Sequence, residues 1–76
     1  MNEKQAHKQA AKASKTEGAQ FVVYVFDQGQ GVYSAAQALM YQDVVLLEAC
    51  YVSGVRVTSP LAELTRYACE SAGRAA

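Results

Sequence analysis

Residues 20–27, QFVVYVFD, are apolar on both sides of any strand they form. Side chains of a strand alternate between its two faces, so Phe21, Val23 and Val25 point one way and Val22, Tyr24 and Phe26 the other. Such a strand needs cover on both faces. Residues 44–52, VVLLEACYV, make the same demand. Read as a strand, they put Val45, Leu47, Ala49 and Tyr51 on one face. Val44, Leu46, Glu48, Cys50 and Val52 take the other. A single helix from Ser34 to Val52, ended by Gly54, is the rival reading, because periodicity does not settle a short apolar run.

The chain has little material for that cover. It has 76 residues, and a domain of this size buries only about 60% of the surface its unfolded form exposes. Hydrophobic residues make up 51% of it, but fourteen of them are alanines, which add little core volume. The expected stability is a few kcal/mol.

Two segments read as amphipathic helices. Residues 34–42 open with Ser34 and Gln37 at capping-box spacing. Their expected core stripe is Ala36, Leu39 and Met40, with Val32 just before, Tyr33 at its border and Tyr41 turned towards solvent. Ser59–Pro60 opens the last helix, serine as N-cap and proline in the first turn. Its stripe is Leu61, Leu64, Ala68 and Ala72, and Arg66, Glu70 and Arg74 line a solvated face. Ser53–Gly54 reads as a hairpin turn between residues 44–52 and a short partner strand, residues 55–58.

Residues 2–17 read as a further helix, with Asn2 as cap, Gln5 at its third position and Gly18 beyond its end. Its apolar side is only Ala6, Ala10 and Ala13, so burial contributes little to holding it. The expected order is α-β-α-β-β-α: an α+β domain with a small sheet and helices mainly on one face. Residues 1–17 form a Lys/Ala-rich helix or arm, and residues 18–76 the body. The uncovered face then needs the arm, a second copy, or another protein; the arm is poor cover because alanines bury little area, so a homo-oligomer or an obligate partner is expected.

The strongest hint of chemistry is Gly29-Gln30-Gly31-Val32-Tyr33-Ser34, which follows a strand and precedes a helix. Phosphate-cradling loops are built that way, and Glu48 lies near the spacing of a ribose-binding acid. Serine replaces the third glycine, however, and no Gly-Lys-Ser/Thr follows, so a P-loop is excluded. A tight turn accounts for the glycines by backbone geometry alone.

Other chemistries lack parts. Cys50 and Cys69 are candidate nucleophiles, but the single histidine, His7, sits in the arm, and inert buried thiols are the expectation. One histidine and two distant cysteines match no zinc spacing, so neither a metal nor a cofactor is expected. Asp27, Asp43 and Glu48 do not read as a catalytic pair. The N-terminus has no signal-peptide h-region and no run is long enough to span a bilayer, so the chain reads as cytoplasmic with reduced cysteines.

Net charge is zero but uneven. Residues 1–17 carry Lys4, Lys8, Lys12 and Lys15 against Glu3 and Glu17, a net of +2, balanced by −2 over the rest. A lysine row on one helix side can follow a phosphate backbone. A neutral total argues against a dedicated nucleic-acid protein, and charge runs more often mark a solvated face. Tyr24 and Phe26, which could stack bases, have no basic neighbours in sequence.

The expected function is therefore a non-catalytic protein–protein interaction module, an inhibitor or adaptor acting stoichiometrically and self-associating. Phages and plasmids are a setting suggested by size alone. The expected contact residues are Val45, Leu47 and Tyr51 with Tyr24 and Phe26. Nucleic-acid binding through Lys4, Lys8, Lys12 and Lys15 is the alternative.

Overall fold

In a computed structural model, which describes residues 2–75, the two doubly apolar segments lie side by side at the centre of one antiparallel sheet. The elements are α1 (Glu3–Ser14), β1 (Gln20–Val25), β2 (Gly29–Ser34), α2 (Ala35–Met40), β3 (Val45–Val52), β4 (Val55–Arg56) and α3 (Pro60–Ala75). The strand order is β2-β1-β3-β4. The fold is α+β, with a four-stranded sheet and three helices. Among the described residues no helix is long and apolar enough to cross a membrane. Met1 and Ala76, the end residues of the arm and the body, lie outside the described residues, as do the side chains of Arg74 and Ala75.

Each face of the sheet has its own core. On one, Phe21, Val23 and Cys50 pack with Ala38 of α2 and Leu64 of α3. On the other, Val22 and Ala49 pack with Ala6 and Ala10 of α1. The arm, expected to be poor cover, is thus the cover for this part of the second face. Alanine suits this position, because a helix without bulky side chains lies close to the sheet, and both alanines are fully buried. Two polar contacts fasten it. Ser14 Oγ accepts from the Gly54 backbone N–H at 2.8 Å while donating to Ala11 O at 2.8 Å. His7 Nδ1 lies 2.7 Å from the Tyr51 hydroxyl, with the rings edge to face.

Local signals account for the element ends. Asn2 and Gln5 form a complete capping box on α1, as Ser34 and Gln37 do on α2. Ser59 Oγ accepts from Ala62 N–H at 3.3 Å at the start of α3. Ser53 (φ 52°) and Gly54 (φ 82°) both take positive φ, the signature of a two-residue type I′ hairpin. The helix-and-strand reading of residues 34–52 therefore holds over the single helix.

Four expectations need correction. Gly29–Ser34 is neither a turn nor a phosphate loop but a strand, paired with β1 from Gln20↔Ser34 to Val25↔Gly29. The turn lies just before it: Gln28 N–H donates to Val25 O at 2.9 Å, with Asp27 at φ 64°. The phase of α2 is shifted by one residue, because the helix leaves directly from the end of β2. Ala38 is buried, with Ala35 and Leu39 half-buried, while Ala36 and Met40 are exposed. Val32 faces the α1 side. On α3, Leu64 is buried but Leu61 and Ala72 are exposed, since α2 reaches across only part of the helix.

The fourth correction concerns β3. Val22 pairs with Ala49, but Val23 pairs with Leu47, so Glu48 is an extra residue, a β-bulge. The bulge reverses the alternation. Val45 and Leu47 pack into the α2/α3 core, whereas Ala49 and Tyr51 pack under α1. The single face expected to carry Val45, Leu47, Ala49 and Tyr51 does not exist.

Candidate functional site

Among the described residues, the cover on the α1 side is incomplete and reaches only as far as the first turn of α1. Glu3, in the first turn of α1, lies level with Glu48 at the bulge. Beyond that point the same sheet face carries Tyr24, paired with Leu46. Phe26 and Val44 lie just beyond β1 and β3, in the adjoining turns. Tyr24 is 38% exposed, Phe26 76%, Val44 67% and Leu46 66%. The α2–β3 connection reaches the same end, where Val44 N–H donates to Tyr41 O at 2.9 Å, but the Tyr41 ring lies 5.8 Å from that of Tyr33, which packs on the α2/α3 side. Single exposed hydrophobics are normal on a protein surface, but neighbours on paired strand ends form a patch. Asp27 and Asp43, both exposed, sit in the two turns at this end.

Of the five expected contact residues, the structure brings Tyr24 and Phe26 to this open end. Val45 and Leu47 are half-buried against the opposite core, and Tyr51 is half-buried beneath α1 and held by His7. Sequence reasoning missed Leu46 and Val44. Their signal was present in the alternation of Val44 and Leu46, but it was assigned to a continuous face that the bulge divides.

Lys4, Lys8 and Lys12 are all exposed on the outer side of α1. Lys15 is exposed too, but it is the C-cap residue, and its aliphatic stem lies over Gly54: a Cβ there would stand 2.7 Å from Lys15 Cε.

The two thiols differ. Cys50 is buried, and its thiol is pushed up to about 11, first by burial and then by the Glu63 carboxylate, against the opposing effect of Arg66. Cys69 is exposed, contrary to the expectation of two buried thiols, because α3 turns it away from the sheet. In the native protein at mildly alkaline pH, an alkylating reagent is expected to label one cysteine per chain rapidly, at Cys69. Folding favours the neutral Cys50 thiol, so its contribution to stability is fully present below the ordinary thiol range and is lost as pH rises towards about 11. Denaturation midpoints across that alkaline range should fall less for Cys50→Ala than for the unaltered chain. An equal fall in both would contradict this account.

His7 is docked rather than frayed. Its Nε2 lies 4.0 Å from Glu3 Oε1, on the side of the ring away from Tyr51. Glu48 Oε1 accepts from Gln30 Nε2 at 3.1 Å. No protein-family model, curated protein or solved structure matches this chain.

Proposed function

We propose that the chain is a non-catalytic interaction module that acts stoichiometrically, as an inhibitor or adaptor, through the open apolar end of its sheet, with a second copy as the first partner of that surface. The observation that carries this reading is the exposed Tyr24–Leu46 pair, with exposed Phe26 and Val44 just beyond the same strand ends. An aromatic pair beside aliphatic side chains suits a protein contact, since tyrosine joins a large apolar body to a polar tip. Apolar surface is also its own chemical complement, so a copy of the chain can cover it without a matching charge pattern.

Sedimentation equilibrium from micromolar to millimolar concentration tests the reading. The unaltered chain is expected to self-associate, and Phe26→Lys with Leu46→Lys is expected to be monomeric with unchanged circular dichroism, because both side chains are exposed. A monomer throughout, together with cross-linked partners that the double variant still captures, would remove this surface from the function.

The exposed row Lys4, Lys8 and Lys12 supports nucleic-acid binding as the second reading. Binding by that row would weaken steeply with added salt, whereas apolar association would not.

A further inference from the structure

Glu3, His7 and Glu48 come from two turns of α1 and from the bulge of β3, and folding brings their ligating atoms within 4.8 Å of one another. We propose that they bind one divalent transition-metal ion of the zinc type, through Nε2 of His7 and one oxygen of each carboxylate, with water completing the shell. The site borders the apolar end, since Gln30, which holds Glu48, pairs with Tyr24, but it uses none of the apolar residues there.

Three features favour an ion there. The first is the support behind the inner ligands. Metal-binding imidazoles hold their second nitrogen in a hydrogen bond, and ligating carboxylates are themselves hydrogen-bonded. His7 has Tyr51 at 2.7 Å on Nδ1, and Glu48 has Gln30 at 3.1 Å on Oε1, which leaves Oε2 free. The second is charge. In the tautomer that donates Nδ1–H to Tyr51, the Nε2 lone pair is available to an ion, and the carboxylates of Glu3 and Glu48 stand beside the ring. Two carboxylates gathered at one point favour a positive charge between them, and together with an imidazole lone pair they match the donor set of a divalent cation.

The third is reach. Zinc takes N and O ligands at 2.0–2.2 Å, which puts tetrahedral ligand atoms about 3.4 Å apart. Glu3 Oε1 lies 4.0 Å from His7 Nε2, and the Glu3 side chain, 69% exposed, is free to turn and shorten that gap. Mixed imidazole and carboxylate donors suit zinc and its neighbours rather than calcium or magnesium. Glu3 and His7 open onto a hollow of about 610 Å³ that Asn2, Lys4 and Arg56 also line. The two cations lower the affinity below that of a closed structural site, and the opening leaves room for water or a small anion on the ion.

Calorimetric titration of zinc chloride into the full chain carrying Cys69→Ser, so that the exposed thiol supplies no ligand, tests the proposal. One ion per chain is expected, with micromolar affinity and reversal by a chelator. Bound ion ties α1 to β3, so the thermal midpoint should rise with zinc concentration. Glu48→Gln and His7→Gln are each expected to weaken binding by roughly tenfold or more, and Tyr51→Phe by about tenfold through the lost outer bond. Circular dichroism in chelator reports whether each variant is folded. If His7→Gln is not, Glu3→Gln decides, because that side chain is exposed. Absence of heat and of any melting shift at millimolar zinc would overturn the proposal, as would undiminished affinity in Glu3→Gln with Glu48→Gln.

Discussion

Phe21→Ala is expected to leave the chain largely unfolded at room temperature. Phe21 is the largest fully buried side chain, in the middle of the core that joins β1 to α2 and α3. Truncating a buried phenylalanine costs about 3–5 kcal/mol, through lost transfer energy and the cavity left behind. A domain of this size has only about that much to lose. Its neighbours are poorly placed to refill the space, since Val23, Cys50 and Ala38 are short and Leu64 is already fully engaged. Far-UV circular dichroism and a urea titration should show loss of the cooperative transition, with Phe21→Leu retaining it at a lower midpoint. A well-folded alanine variant would mean that the α2/α3 core is not the one on which the fold depends.

The second large effect is expected from a substitution that adds apolar atoms. Ala10→Phe places a ring where α1 packs on Val22 and Ala49. Overpacking of this kind costs about 1–3 kcal/mol, and occasionally more. Because α1 is tied down by two small side chains and a few polar contacts, it is expected to leave the sheet while the rest persists. Limited trypsin digestion should then cut rapidly at Lys8, Lys12 and Lys15. Gln9→Phe, one position away and exposed, should be cut no faster than the unaltered chain. Equal cutting of both variants would show that the alanine face does not set how closely the helix lies.

Much of the fold was legible in the sequence. The capping boxes at Asn2 and Ser34, the serine–proline start of α3 and the Ser53–Gly54 hairpin are local devices that need only a few residues to work, and each appears in place. The face assignments of β1 were legible because alternation is a local rule. What escaped was set by partners. Gly29-Gln30-Gly31 has weak strand propensity of its own and is held extended by its pairing with β1. The bulge at Glu48 is a property of the β1–β3 register and leaves no mark in β3 alone.

The candidate sites divide the same way. Tyr24 and Phe26 could be picked out as large apolar residues without assigned cover, but Leu46 could not be placed before the bulge was seen. The meeting of Glu3, His7 and Glu48 joins the first turns of α1 to the third strand across more than half the chain. A search for metal spacings among histidines and cysteines passes over it. Only the i, i+4 relation of Glu3 and His7 was there to be read.

The bulge also bears on how this sequence can change. It acts as a frameshift between two cores: before it, odd positions of β3 serve α2 and α3; after it, odd positions serve α1. Losing that one residue would swap the allegiance of the whole strand beyond the gap and send Cys50 towards the alanine helix. Point substitutions along β3 are graded by size and burial, but a change of length at this position is all or nothing. Lineages of such a chain should therefore keep the distance from Leu47 to Ala49 fixed, even where the residue between them varies.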